Sequence, residues 1–562
     1  MKLAFIVFIS LLLLLSSPEL KAQFGAALQG IITDSTGGVL PGVSLTLTDT
    51  ETGRSLTTVS NNEGFYRIGG LAPGNYSLRA ELAGFQTRLI EGIQVSAEET
   101  TGMNLEMVPA GVALSITVTG PAAVEGASQS ANIGRSITSR EIVHLPQFGR
   151  DPYELARLTP GVFGSGARAG SGDAINLPNT AGPGGSNVSI FAVENQVAIT
   201  ANGQRVSANN YQIDGVNVNS LTWGGAAVVT PNQESISEMR ILSSSYSAAD
   251  GRNSGVQVKV VSRSGGNRIS ATGFFKYQDP ALNAFNKYGG PSAAPVRVTR
   301  RFRQFGGSLG GPIVADKLFY FLSYEGLRSN DSEFRTAFVE TPEFRHQLAE
   351  LRPNSISRQI VTAPGVEPRI AQVIPVDCSV FNNDPSRCRV VPGGLDIGSL
   401  TGSLGQYLPG DSTGAGFDNV PDLQFVQFKV PRQIRGDQFN PRFDVDVSSH
   451  HFALSMYFTR RDDFQSDPGS AARPMADLTF RPLNSAATLI WNSVWSPTIL
   501  NEARGNFTRF AFDQLDSQTK LTLESHASRW RVFRSTESAS EHRARKRRPL
   551  YLPKTLLESA KP

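Results

Sequence analysis

The sequence predicts a mainly β protein: an N-terminal β-sandwich, a mixed α+β domain and a partial β-barrel. Three observations carry that prediction. Short stretches of alternating apolar and polar residues recur from residue 27 to 512. Turn formers separate them, with 54 Gly and 33 Pro in 562 residues. After the N-terminus, no segment reaches the 18 consecutive apolar residues of a membrane helix. At 40% hydrophobic and 18% charged residues, the chain is neither disordered nor a helical membrane protein. Much of the net charge of +4 sits in the last few dozen residues, so it argues weakly for a nucleic-acid partner, and none is expected.

The first 22 residues read as a signal peptide. Met1-Lys2 supplies a basic start, Leu3 to Leu15 an apolar core broken by Ser10, and Ala22 a small residue before the break. The apolar run is too short to span a bilayer comfortably. An exported chain that enters a membrane without apolar helices must do so as a closed barrel, where every backbone group is paired internally.

Residues 27–109 read as a β-sandwich of about seven strands. Val43 to Thr48 alternates apolar with hydroxyl residues, as a half-buried strand does. Asn61-Asn62-Glu63-Gly64 and Ala72-Pro73-Gly74-Asn75 supply turns, each followed by a strand that opens on Phe65 or Tyr76. Gly30–Asp34, Pro41-Gly42-Val43, Asn62–Tyr66, Leu71–Tyr76 and Gly84-Phe85 resemble the carboxypeptidase-regulatory-like, Cna-B-type family. The resemblance implies no peptidase. There is no HExxH motif, and His144 and His346 lack the acidic and histidine partners of a zinc site. A structural spacer is the expected role.

Residues 110–125 are a linker in which Leu114 to Gly120 can form a strand. Residues 126–265 form the α+β domain. Within it Asp214-Gly215 suits a type I′ hairpin turn, with Tyr211 and Ile213 leading in and Val216 and Val218 leading out. Ile236–Ile241 and Gly255–Gly265 hold two further strand candidates. The blocks Leu155–Val162, Ala201–Arg205, Asn209–Asn219 and Tyr246–Gly255 resemble, in order and spacing, the plug of Oar-like TonB-dependent receptors. That resemblance implies that the segment before the plug, Ile116, Thr117, Val118 and Thr119, pairs with a strand of the energising protein TonB, which works with ExbB and ExbD. An ordinary linker strand is the alternative. Asp214, followed by Gly, reads as a turn residue rather than an acid or base. The loop at Trp223, Gly224 and Gly225 is a candidate ligand contact, against the alternative of a tryptophan packed under a barrel wall.

From residue 266 to 512 seven strands can be marked: 269–277, 301–309, 318–326, 437–447, 451–459, 486–495 and 499–512. Alternation is clearest in Leu318, Tyr320, Leu322 and Tyr324, and in Phe439, Phe443, Val445 and Val447 interleaved with polar partners. The connections alternate between short turns and long loops, the longest being 327–436. This asymmetry is the signature of an outer-membrane barrel with short periplasmic turns and long outer loops. Arg303–Pro312, Lys317–Arg328 and Leu500-Asn501-Glu502 resemble Oar-like barrels. Such barrels close with roughly 22 strands, so seven are expected to be an incomplete set, and the basic tail at 513–562 reads as non-family sequence, from a lost frame or as a disordered segment.

The two cysteines, Cys378 and Cys388, lie in the longest outer loop, where an exported protein can oxidise them into a staple. No metal site, cofactor site, acid–base pair or nucleophile triad is recognised. The expected function is that of an outer-membrane TonB-dependent receptor, embedded in outer-membrane lipid and taking up a ligand whose class the sequence leaves open. The alternative is a surface or periplasmic adhesion protein without transport.

Overall fold

The computed structural model describes residues 26–516, apart from position 98 and segments 111–116, 119–131, 146–148, 165–189, 192–193, 222–223, 245, 247–252, 283–300, 386, 401–415, 467–471, 497–498 and 512–513. The predicted signal peptide and most of the basic tail therefore lie outside the described residues.

The sandwich is built from β1 (Ala26–Asp34), β2 (Ser44–Asp49), β3 (Ser55–Val59), β4 (Phe65–Leu71), β5 (Gly74–Glu81), β6 (Arg88–Val95), β7 (Thr100–Gly102) and β8 (Leu105–Met107). One sheet joins β4, β1, β7 and β8; the other runs β3-β2-β5-β6. Alternation places Leu45, Leu47, Leu78 and Ile93 of one sheet against Leu28, Ile32 and Tyr66 of the other. The Asn61–Gly64 turn forms as its residues dictate. The Asn61 Oδ1 accepts from the Phe65 amide at 2.9 Å, and Gly64 adopts φ +68°. A short strand, β9 (Thr117–Val118), adds parallel to the β6 edge.

The α+β domain, termed the plug from its sequence resemblance, has a sheet of order β10-β15-β16-β13-β14. These strands are β10 (Ile133–Thr138), β13 (Asn210–Ile213), β14 (Val216–Asn217), β15 (Ile236–Ser244) and β16 (Gln257–Ser262), with the pair β11 (Val162–Gly164) and β12 (Ile199–Ala201) beside them. Helix α1 (Ser139–His144) starts at a capping box in which Thr138 and Glu141 bond reciprocally. The predicted hairpin is present, with Ile213 paired to Val216 and positive φ at both Asp214 and Gly215. The plug core includes Ile137, Tyr153, Tyr211, Met239 and Val258, and it is continuous with Tyr457 and Ala486 of the barrel wall.

The barrel wall is one antiparallel sheet. Its long strands are β17 (Ser270–Gln278), β18 (Arg301–Val314), β19 (Leu318–Glu340), β23 (Leu423–Val447), β24 (His450–Ser466), β26 (Leu483–Ser496) and β27 (Ile499–Arg509). Short strands β20 (Gln372–Ile374), β21 (Arg389–Val391), β22 (Gly394–Asp396), β25 (Asp477–Phe480) and β28 (Gln514–Asp516) decorate its outer end. All seven predicted strands are found; four of their fourteen bounds agree, and the largest shifts lengthen β19, β23 and β24. β19 and β23 continue in register to Glu340↔Leu423, so the expected loop 327–436 shrinks to 341–422. It holds α2 (Pro342–Leu351) and α3 (Ile356–Val361). β24 likewise runs on to Ser466, and the turn after β23 has two residues, not three, with Ser448 at φ +55°. Between the apolar band and the buried outer cluster of Val339, Val426, Phe428 and Val430, polar runs such as Asn330 to Glu333 interrupt the two-residue period that marks a strand.

Outward and inward faces separate cleanly. Phe439, Phe443, Phe452, Leu454, Phe458 and Leu489 are exposed on one face, whereas Gln438, Asn440, Arg442, Ser455 and Thr459 are buried on the other. Phe439 to Val447 spans eight residue steps, roughly 26 Å along the strand, or about 19 Å across a bilayer at a 45° tilt. Flanking aromatics such as Trp495 and Tyr277 extend that band towards the apolar height of an outer-membrane barrel.

Candidate functional site

The buried polar groups of the chain concentrate where the plug meets the barrel wall. Arg150 lies in the loop before the plug's first 3-10 turn, with φ +55°, and is 4% exposed. Its Nε donates to Glu325 Oε1 at 3.2 Å, and its Nη2 reaches Glu234 Oε1 at 3.4 Å. Glu325, on β19, is fully buried and also accepts from Gln304 Nε2 of β18 at 2.6 Å. Glu234, in the plug, accepts from Thr272 Oγ1 of β17 at 2.8 Å. The Arg150 guanidinium stacks 3.6 Å above the Phe274 ring. One plug cation thus ties three barrel strands and a second plug segment together, and hydrogen bonds satisfy both carboxylates, as buried charge requires.

Further contacts follow the interface. Asn232 Nδ2 donates to Ser323 Oγ at 3.1 Å and to Gln438 Oε1 at 3.0 Å. Gln438 Nε2 donates in turn to the Thr230 carbonyl at 2.7 Å. At the short-turn end, Arg442 of β23 donates to the Ser262 carbonyl at 2.7 Å, pairs with Asp444 at 2.7 Å, and lies 3.7 Å from Asp214. Asp214 Oδ1 accepts from the Ser262 amide at 2.9 Å and Oδ2 from its hydroxyl at 2.6 Å. The turn aspartate therefore locks the hairpin to β16.

Inside the plug, Asp151 accepts from the Tyr153 amide at 2.9 Å and from Asn195 Nδ2 at 2.6 Å. Burial raises its pKa to about 7, helped by the neighbouring Glu154 charge and opposed by those two hydrogen bonds.

The sequence-predicted residues fall elsewhere. Thr117 and Val118 pair with Leu89 and Ile90 of β6, while Ile116 and Thr119 lie outside the described residues. Trp223 is also outside them. Gly224 accepts from Gln196 Nε2 at 2.8 Å. A Cβ at Gly225 would fall 1.8 Å from the Val206 carbonyl oxygen, so that turn has no room for a side chain. Cys378 and Cys388 are joined, with Sγ atoms 2.08 Å apart and Cα atoms 5.8 Å apart, in the outer loop. Sequence reading passed over Arg150, Glu234, Glu325 and Arg442. A lone charge inside an otherwise alternating strand, such as Glu325 between Tyr324 and Gly326, was the available signal.

Comparison with known families identifies the wall of dyad strands and the N-terminal sandwich. Residues 261–537 match the outer membrane beta barrel domain, and residues 27–108 the carboxypeptidase regulatory-like domain. Over 274 residues the chain is 24% identical to the TonB-dependent transporter Oar of Myxococcus xanthus, covering 48% of this chain and 23% of that protein. The chain is a homologue of a TonB-dependent transporter. Its barrel domain places it in the outer membrane. It spans about a quarter of the length of that relative. Two solved structures are also similar. One is the outer membrane transporter YddB from Escherichia coli, at 12% identity over 65% of this chain and 37% of that one, with a TM-score of 0.37. The other is a mutant of the ferric enterobactin receptor PfeA from Pseudomonas aeruginosa, at 11% identity over 68% and 50%, with a TM-score of 0.30.

Proposed function

We propose that the chain is the plug-bearing part of a TonB-dependent outer-membrane receptor that takes up a ligand by energised displacement of its plug. The observation that carries this reading is the Arg150 cluster. Glu234, Arg150 and Glu325 fix the plug against the inner wall in a buried, fully paired arrangement, so opening the lumen needs work supplied from outside the barrel. A protein that only binds at the surface has no use for a sealed, ion-paired interior.

The division that follows is a signal peptide at 1–22, sandwich at 27–109, linker at 110–125, plug at 126–265 and barrel from 266. The linker strand at Thr117-Val118 is the segment we assign to TonB, with ExbB and ExbD behind it; main-chain pairing would supply the affinity. We assign no catalysis: the buried carboxylates Glu234, Glu325 and Asp214 are each held by donors of the plug–barrel interface.

A photo-crosslinking residue at position 117 tests the assignment in cells that make TonB. The expected result is a TonB adduct that disappears in Val118→Pro at the neighbouring register, because proline removes the backbone donor. A chain that reaches the outer-membrane fraction yet gives no adduct would overturn it.

A further inference from the structure

Outside the lumen, the sheet carries an arrangement that its own fold does not explain. Arg303 of β18 stands directly opposite Arg328 of β19, and Arg328 stands directly opposite Arg435 of β23. Three arginines therefore lie in one line across three neighbouring strands. All three share the outward face with Phe439 and Phe443, since side chains two apart on a strand point the same way. Like charges in directly opposite positions destabilise a sheet.

Local partners relieve this only in part. Arg328 pairs with Asp437 at 2.8 Å. Arg303 faces the Tyr277 ring at 5.8 Å, and Arg435 makes no ion pair among the described residues. Next along the wall, Arg460 and Arg481 both turn to Asp462, at 3.5 and 3.8 Å. Five arginines thus face two aspartates. Between them opens a cleft of about 330 Å³, whose walls include Arg435, Asp462, Phe464 and Arg481.

Height decides what this row meets. Arg435 is four residues beyond Phe439 on the same strand and face, roughly 13 Å along the strand. It lies towards the long-loop end, the side that faces outward in such barrels. Below it is the apolar band, which acyl chains cover; at its own level is the headgroup layer. The ligand of this surface must therefore carry acyl chains below and anionic groups above. Guanidinium forks match phosphate oxygens bidentately, and do so best where the charges are held in a fixed row. We propose that Arg303, Arg328 and Arg435, with Arg460 and Arg481, bind the phosphate groups of a phosphorylated lipid headgroup in the outer leaflet.

The test uses the full chain purified in a nonionic detergent. It is titrated with a bis-phosphorylated acylated glycolipid and with the same lipid after phosphatase treatment, and adducts are followed by native mass spectrometry. The expected result is at least about tenfold tighter binding of the phosphorylated lipid, retained in excess inorganic phosphate. Arg303→Gln with Arg435→Gln, both exposed and neither bonded to the plug, should abolish that preference. Far-UV circular dichroism and trypsin resistance would verify that this variant remains folded. Equal affinity for the two lipids overturns the proposal, as does an undiminished preference in the folded double variant. Complete displacement by inorganic phosphate also overturns it, because the row would then be an ion site and not a headgroup site.

Discussion

Arg150→Ala should loosen the plug more than any other single side-chain truncation on its surface. Arg150, Glu234 and Glu325 are 4%, 5% and 0% exposed. Removing the cation leaves two carboxylates facing each other out of water, with Gln304 and Thr272 as their hydrogen-bond donors among the described residues. Losing one partner of a buried pair costs about 3–5 kcal/mol, because the abandoned charge keeps its desolvation penalty. At 1.36 kcal/mol per factor of ten, plug opening should become about 10²- to 10⁴-fold more frequent. Hydrogen exchange in the detergent-solubilised chain reads this directly, through the amides of Gln233–Ser244, which link Glu234 to β15. Arg79→Ala is the control. Its pair with Glu81 has side chains 57% and 45% exposed, so its loss is worth under about 1 kcal/mol. A triple variant, Arg150→Met with Glu234→Gln and Glu325→Gln, removes all the charge and should recover most of the protection. If Arg150→Ala changes exchange at Gln233–Ser244 no more than Arg79→Ala does, the cluster does not hold the plug.

Three further outcomes follow from particular residues. Asp151 has a folded pKa raised from 3.8 to about 7, so the folded plug holds a proton that the unfolded chain has released. Its contribution is therefore most favourable below about pH 4 and falls as pH rises towards 7; Asp151→Asn should remove that part of the slope in denaturant midpoints between pH 5 and 8. Gly64→Ala puts a Cβ 2.7 Å from the Ile32 carbonyl oxygen at φ +68°, whereas Gly84→Ala at φ +86° meets nothing within 4 Å. Left-handed backbone alone costs about 1–2 kcal/mol, so the sandwich melting temperature should drop further for Gly64→Ala than for Gly84→Ala. Reducing the Cys378–Cys388 bond should speed exchange in 378–396 and leave the plug unchanged, since the bridge closes a ten-residue loop within the long connection 341–422.

The sequence exposed what one face of water and one face of protein or lipid imprint on a strand. Leu318 to Tyr324 and Phe452 to Phe458 alternate because each meets lipid on one side and plug on the other, and both strands were found where they were expected. The Asp214-Gly215 hairpin was legible because only a few residue types tolerate positive φ at both positions. The outer half of β19 and β23 was not legible: Asn330 to Glu333 is polar throughout and Arg432 to Gly436 has Ile434 as its one apolar residue, so both read as loop, and their mutual register makes them strand. The Arg150 cluster was hidden for a different reason. Its members lie 84 and 175 residues apart in the chain, so no local pattern connects them.

The sandwich was expected to be a spacer, and its contacts make it something firmer. Glu238 and Arg240 alternate along β15 and so project from one face of the plug sheet. Both reach the same sandwich residue: Ala97 donates its amide to Glu238 Oε2 at 2.9 Å, and its carbonyl accepts from Arg240 Nη1 at 2.8 Å. Nearby, Asn267, between plug and barrel, bonds the carbonyls of Glu51 and Thr52, and Arg54 lies 3.5 Å from Asp446 of β23. These sandwich contacts gather at the short-turn end of the wall, beside Asp316. A plug strand bound to the sandwich through both backbone groups of one residue cannot shift relative to it without breaking charge-assisted hydrogen bonds. Any displacement of β15 must therefore either carry the sandwich away from Asp446 and Asn267 or tear Ala97 from the plug, and either way the domain below the pore resists the movement of the domain inside it.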